Sequence, residues 1–104
     1  MKRILIAIVM TLMAVVASAE VPVTLTTTTG EIYGTLTVPD NASRTAVLII
    51  AGSGPTDRNG NSNVTGIATD SYKMLADSLA SHGYASLRYD KRGIAESAAS
   101  ATDE

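Results

Sequence analysis

Residues 46–51, Ala-Val-Leu-Ile-Ile-Ala, decide the fold because every position in this stretch is apolar. A strand that is apolar at each position has no side facing water, which is typical of the middle of a parallel sheet. Such a strand requires helices above and below the sheet. We therefore predict an α/β fold in which a strand over 45–51 is buried on both faces.

A helix and another strand follow this central strand. Thr69 or Asp70 can cap a helix over 69–82, and Gly83 can take the left-handed conformation that ends it. The apolar stripe of the helix consists of Tyr72, Leu75, Ala76 and Leu79. The next strand is predicted over 84–90. A strand, a helix and a second strand in this order indicate a β-α-β unit with two parallel strands.

Ahead of the central strand, the sequence alternates with a period of two residues. Val21, Val23 and Leu25 point one way and the threonines between and after them point the other way, which is typical of a strand with one wet face. A second alternating run follows Gly30 and ends at Pro39. Together the two runs predict an antiparallel hairpin over 21–38.

Two polar segments complete the predicted organisation. Residues 52–68 form a loop rich in glycine and asparagine, and a loop of this length in a compact domain is usually functional or disordered. Residues 91–104 are a polar, Ala/Ser-rich tail without an apolar period. The sequence therefore predicts a hairpin, one β-α-β unit and a tail.

The first residues have the pattern of a secretory signal peptide. Lys2 and Arg3 precede an apolar run over 4–16, and the small residues 17–19 (Ala-Ser-Ala) form a cleavage site. A membrane anchor is the alternative, but it needs about 20 apolar residues, and polar residues begin at Glu20. The pattern predicts cleavage after residue 19, a secreted or periplasmic location, and no stable membrane span afterwards.

The composition limits what the mature chain can be. Removing 19 of the 104 residues leaves 85, and removing Lys2 and Arg3 leaves six basic residues against ten acidic ones, a net charge of −4. The chain has no basic patch, which disfavours nucleic acid as a partner. With no cysteine it has no disulfide. One helix cannot cover both faces of the central strand, so we expect an incomplete α/β domain with apolar faces exposed.

Three segments in order resemble the N-terminal part of secreted bacterial α/β-hydrolases of the serine-aminopeptidase-like type. The segments are 48–61 (LIIAGSGPTDRNGN), 72–76 (YKMLA) and 83–93 (GYASLRYDKRG), and the hairpin end over 34–39 (GTLTVP) also fits. The resemblance covers most of the mature chain. It implies an α/β-hydrolase fold and a serine hydrolase acting on esters, amides or peptides, without a cofactor or a metal.

The resemblance also assigns a role to the loop after the central strand. In that family this loop supplies a backbone N–H to the oxyanion hole, and Gly52, Ser53 and Gly54 stand at the matching positions. Glycines let the backbone approach a developing oxyanion closely. A glycine-rich turn without such a role is the alternative.

Residues 90–97 (DKRGIAES) resemble the loop that follows the fourth strand in the same family. Asp90, Arg92, Gly93 and Ser97 match its pattern, which implies a structural role at the site. Judged from the residues, a solvated loop with Asp90 and Arg92 paired is favoured over direct catalysis. Ala95 stands where the pattern prefers glycine, so a positive φ there would strain the loop.

Other chemistries match less well. Ser53 lacks the G-x-S-x-G elbow of a nucleophile, and His82 at a helix end is expected to cap the helix instead of catalysing. A calcium loop starting at Asp57 has Gly60 at position four and no glutamate at position twelve. A dinucleotide fingerprint starting at Gly52 would place Asp57 where its third glycine belongs.

The family chemistry needs a serine nucleophile, a histidine and an acidic residue. The 104 residues contain no G-x-S-x-G and none of the three at a matching position. The expected function is therefore that of an N-terminal fragment of an exported serine hydrolase, inactive alone, with an ester or peptide as its substrate when the domain is complete. The alternatives are a small exported binding module that uses the loop over 52–63, and assembly with a separately encoded remainder.

Overall fold

The computed structural model describes residues 18–52 and 54–100. This part of the chain is a small mixed α/β domain, so the predicted fold class is confirmed at that level. Its elements are β1 (Ser18–Thr27), β2 (Gly30–Pro39), β3 (Ala46–Ile49), β4 (Asn61–Ser62), β5 (Ile67–Ala68), α1 (Ser71–Ser81), β6 (Ala85–Tyr89) and a 3₁₀-helix (Ala95–Ser97).

The main sheet has the strand order β1-β2-β6-β3. β1 and β2 form an antiparallel hairpin, as predicted over 21–38, with Ser18 opposite Pro39 at one end and Thr27 opposite Gly30 at the other. β6 lies between β2 and β3, antiparallel to the first and parallel to the second. The parallel pair joined by α1 is the β-α-β unit expected from the sequence.

The predicted signal peptide falls mostly outside the described residues, which begin at Ser18. Ser18 and Ala19, the last two residues of that peptide, form the start of β1 and pair with Pro39 and Val38. The cleavage site therefore remains a prediction. None of the helices within 18–52 and 54–100 has the length and hydropathy that a membrane crossing requires.

The predicted position of the apolar strand was wrong. β3 covers only Ala46–Ile49, and in the described sheet it is the edge strand instead of a central one. Ile49 is buried, whereas the Leu48 side chain is 54% exposed and Ile50 is also exposed. The physical reason is that β3 has a neighbouring strand on one side only, and the helix packs mainly over β6 and β2.

α1 lies over a polar face of the sheet. Thr37, Ser86 and Arg88 are buried on this face, where Thr37 is opposite Ser86 in the register of β2 and β6. The helix contributes small side chains, Ala76 and Ala80, to the contact. The predicted apolar stripe is therefore partly wrong, because Leu75 is exposed.

The opposite face of the sheet is apolar and has no helix over it among the described residues. A groove of about 680 Å³ runs along this face. Its apolar lining comes from all four strands, namely Val23, Leu25, Ile32, Leu48, Leu87 and Tyr89. The exposed apolar surface expected from the sequence is therefore present, and its cause is that α1, the one α-helix of the described residues, covers the other face.

The ends of α1 agree only partly with the prediction. Asp70 is the residue before the first turn, but it has φ 52° and its side chain does not cap the helix. Its carboxylate instead accepts a hydrogen bond from Asn61 Nδ2 at 2.6 Å. Gly83 ends the helix region with φ 87°, as expected from its freedom to adopt positive φ.

The loop over 52–68 is folded where the structure describes it. Asp57 Oδ1 accepts the backbone N–H groups of Asn59 and Asn61 at 2.8 and 2.9 Å, which closes a tight turn. The turn continues into the short antiparallel pair of β4 and β5. Local side-chain hydrogen bonds of this kind stabilise loops that have no apolar core.

The tail predicted over 91–104 is also folded as far as residue 100. Ser97 and Ser100 are buried, and the 3₁₀-helix that contains Ser97 packs against β2. Ser97 Oγ donates to Asp90 O at 2.7 Å and accepts the N–H of Tyr33 at 3.0 Å. The absence of an apolar period was misleading here, because this segment is held by hydroxyl groups.

Candidate functional site

Two loops leave the carboxyl ends of the neighbouring parallel strands β3 and β6, where open α/β sheets bind their ligands. The loop after β3 contributes Arg58, and the loop after β6 contributes Asp90. The N–H of Arg58 donates to Asp90 Oδ1 at 2.7 Å, and its guanidinium lies 3.1 Å from Asp90 Oδ2. The two loops are therefore joined by a charge-assisted pair of contacts.

Asp90 is the centre of this junction. The residue is 1% exposed, and its carboxylate also accepts the N–H of Glu96 at 3.2 Å. The guanidinium of Arg58 makes a second ion pair with Glu96, whose side chain is exposed. The expected pairing of Asp90 with Arg92 was wrong, because the cation at Asp90 is Arg58, which arrives from the other loop.

Arg92 and Gly93 hold the loop after β6 to the hairpin tip and to the 3₁₀-helix segment. Arg92 donates hydrogen bonds to the hydroxyls of Thr27 and Thr29 at the tip of the hairpin. Gly93, with φ 76°, donates its N–H to Ser97 O and to Ser100 Oγ, each at 3.0 Å. The structure thus brings Asp90, Gly93 and Ser97 together, while Arg92 anchors the loop to the hairpin.

The proposed oxyanion loop lies beside Lys91. Lys91 Nζ donates to the carbonyl oxygens of Gly52 and Gly54 at 2.5 and 2.6 Å. Both glycines are exposed, and among the described residues no acceptor binds either of their N–H groups. Ser53 lies outside the described residues. The backbone of this loop is therefore held through its carbonyl groups.

Ala95 has the positive φ that the sequence pattern raised as a possibility, with a value of 48°. The left-handed region costs an alanine about 1–2 kcal/mol. Its side chain is exposed, so no packing offsets this cost.

Replacing Ala95 by glycine is expected to raise the free energy of unfolding by about 1 kcal/mol and the Tm by roughly 4–8 °C. Thermal unfolding followed by circular dichroism measures this. Ala98→Gly is the matched control, because Ala98 has φ −59° and gains nothing from glycine. A fall in Tm for both variants would contradict the strain at Ala95.

His82 occupies the end of α1, as expected for a capping residue. Its ring nitrogen Nδ1 lies 2.8 Å from Ser78 O, so the ring donates to one of the last carbonyl groups of the helix. The side chain is exposed. It lies at the C-terminal end of α1, which leads into the start of β6, whereas the two loops of the site leave the ends of β3 and β6. This contact gives His82 a structural role.

The calcium-loop and dinucleotide-loop alternatives gain no support from the structure. Asp57 Oδ1 is occupied by two N–H groups, and the described residues contain no cluster of three His, Cys, Asp or Glu side chains able to hold a metal ion. For a dinucleotide, the glycine loop should open directly into a helix. Here β4 and β5 separate Gly54 from Ser71, the first residue of α1.

A cavity of about 480 Å³ lies between these loops, α1 and the polar face of the sheet. Its volume is in the range of pockets that bind small molecules, about 300–1,000 Å³. The charged side chains that line it come from five different segments, and they are Glu20, Asp57, Arg58, Lys73, Arg88, Asp90 and Glu96.

Arg88 forms the floor of this cavity and is 2% exposed. Its guanidinium donates to Thr37 Oγ1 at 2.9 Å, and two longer contacts of 3.4 Å run to Asn59 Oδ1 and Glu20 Oε1. Sequence reasoning missed this residue and Arg58. The signal available for Arg88 was the alternation of Ser86 and Arg88 with apolar residues in the strand, which places these two side chains on one face of the sheet.

The comparisons with known proteins do not assign the chain to a family. No protein-family model matches it, and no curated protein matches its sequence.

Proposed function

We propose that the chain supplies the oxyanion-hole loop of an exported serine hydrolase that acts on esters, amides or peptides. The observation that carries the proposal is the contact of Lys91 Nζ with the carbonyl oxygens of Gly52 and Gly54. It ties the loop after β3 to the loop after β6 at the sheet edge where ligands of such folds bind.

The chemical task of the loop is to donate N–H groups to the oxyanion of a tetrahedral intermediate. Lys91 holds the carbonyl groups on one side, which leaves the N–H groups of Gly52 and Gly54 without protein acceptors among the described residues. Donors fixed in advance are effective, because no reorganisation is needed as the charge develops. The Arg58–Asp90 pair keeps the two loops in register.

The nucleophile, the base and the acid would have to come from outside these 104 residues, which contain no G-x-S-x-G. The bare apolar face of the sheet is consistent with a domain to which further helices belong. The chain therefore takes part in acyl transfer without performing it alone.

The purified chain is expected to hydrolyse no short-chain nitrophenyl ester, and the reading frame beyond codon 104 is expected to reach a G-x-S-x-G.

In the protein that carries this continuation, Lys91→Met should lower kcat by about 10- to 100-fold with little change in KM, because the oxyanion donors lose their support. Arg44→Met is the control and should leave kcat unchanged, because Arg44 is exposed in the turn before β3 and lines neither loop. Turnover by the 104-residue chain that is lost in Ser53→Ala, or an unchanged kcat in Lys91→Met, would contradict the proposal.

A second candidate function is supported by the polar cavity. Asp57, Arg58 and Asn59 bring the loop over 52–63 to its wall, which suits a small exported binding module. The two candidates differ in the state of the isolated chain. Both should unfold cooperatively, but a binding module should leave a dye specific for apolar surface unbound, whereas the oxyanion-loop portion of a larger domain should bind it through its exposed apolar face.

A further inference from the structure

Four carboxylates and three cations line the polar cavity, and these groups differ in whether they already have close partners. Arg58 is already paired with Asp90 and Glu96, and Asp57 Oδ1 is occupied by backbone N–H groups. The cations that remain are Arg88 and Lys73. Of these, Lys73 already pairs with Asp77, which lies outside the cavity lining, at 3.0 Å.

The only carboxylate that reaches Arg88 in the described structure is Glu20, and the contact is weak. Glu20 Oε1 is 3.4 Å from one terminal nitrogen of Arg88, whereas charge-assisted N–H···O bonds are about 2.7–2.9 Å long and arginine pairs are often bidentate. The Glu20 side chain is 46% exposed and the Arg88 side chain 3%. Glu20 can therefore move into water, whereas Arg88 cannot.

Arg88 also has unused hydrogen-bonding capacity. A guanidinium has five N–H donors. The three hydrogen bonds of Arg88 within the described residues use one donor on each nitrogen, so each terminal nitrogen keeps one N–H for another acceptor. A buried cation in this state is stabilised by any oxyanion that reaches it with better geometry than Glu20.

We propose that the cavity binds a small organic carboxylate, which displaces Glu20 from Arg88 and occupies the position of its carboxyl group. Glu20 is the internal model for the ligand, because its own carboxylate already sits at the cation. Lys73 lies on the helix side of the cavity, where it shares its charge with Asp77, and this hydrogen bond raises the pKa of its ammonium group. The site does not depend on the hydrolase function.

Titration of the purified protein with sodium acetate, followed by the ¹⁵N–¹H signal of Arg88 Nε, tests this directly. Acetate is expected to cause a saturable shift, and Glu20→Ala is expected to lower the Kd about tenfold because the competing carboxylate is gone. Glu96→Ala is the matched control, since it removes a carboxylate of the same cavity that pairs with Arg58. Lys73→Met should weaken binding several-fold.

Sodium chloride at the same concentrations distinguishes a carboxylate site from general ionic strength and should not reproduce the shift. The proposal is overturned by an acetate shift that does not saturate, by equal Kd values for Glu20→Ala and the unchanged protein, or by the same effect in Glu96→Ala. It is equally overturned by an amide spectrum without dispersion, because the cavity requires the folded sheet.

Discussion

Replacing Asp90 by alanine is expected to destabilise the chain by about 3–5 kcal/mol, a large share of the roughly 5–15 kcal/mol that stabilises a typical domain. The variant leaves the guanidinium of Arg58 without its buried partner and the N–H groups of Arg58 and Glu96 without their acceptor. Urea unfolding followed by far-UV circular dichroism measures the loss.

Asp77→Ala is the matched control for this experiment. Asp77 also forms one ion pair, with Lys73 at 3.0 Å, but both side chains are about half exposed. Removing it should cost only about 0.3–0.5 kcal/mol. Asp90→Asn keeps a side-chain oxygen that can accept the N–H of Arg58 and should fall between the two. If Asp90→Ala and Asp77→Ala lose the same stability, the junction of the two loops does not hold the fold together.

Gly34→Ala is expected to open the pairing of β2 with β6 and to cost about 3 kcal/mol, at the upper end of the usual range for overpacking. A Cβ at this position would lie 2.7 Å from the carbonyl oxygen of Arg88, 3.1 Å from Tyr89 Cβ and 3.2 Å from Val23 Cγ2. Because the closest atom belongs to the backbone of β6, the clash cannot be relieved by a side-chain rotation.

Gly52→Ala is the control, because a Cβ there meets no atom within 4 Å and the backbone does not require positive φ. It should change the free energy of unfolding by less than about 0.5 kcal/mol. Hydrogen exchange locates the effect, since the amides of β6 should lose protection in Gly34→Ala alone. Equal protection in both variants would show that β2 and β6 tolerate a wider separation.

The regular elements could be predicted from the sequence because their signals are local. The two-residue alternation of Val21, Val23 and Leu25 indicates a strand wherever it occurs, and Gly83 marks the helix end through its own backbone freedom. The parallel pairing of β3 and β6 then follows from chain order.

The place of β3 at the edge of the sheet and the face of the sheet that α1 covers could not be predicted in the same way. Each depends on how distant parts of the chain pack together. The fully apolar stretch at 46–51 fits a central strand and a bare edge strand equally well. The helix packs through Ala76 and Ala80, because small side chains let it approach the threonine and serine side chains of the polar face.

The candidate site was predicted in part. Asp90, Gly93 and Ser97 were identified from the resemblance and do meet in one loop, although the partner of Asp90 is Arg58. A pairing between residues 58 and 90 depends on two loops meeting at one sheet edge, and neither local spacing nor periodicity contains that information. The positive φ of Ala95 agrees with the glycine that the family pattern prefers there.

The polar face beneath α1 has a consequence for how stability varies with temperature. Unfolding exposes threonine, serine and arginine side chains from this contact, and hydration of polar surface lowers the heat capacity that exposure of apolar surface raises. We therefore expect a small heat-capacity increment for a chain of this length and a shallow stability curve. We expect such a chain to lose little stability on cooling, and its buried ion pairs to be screened little by salt.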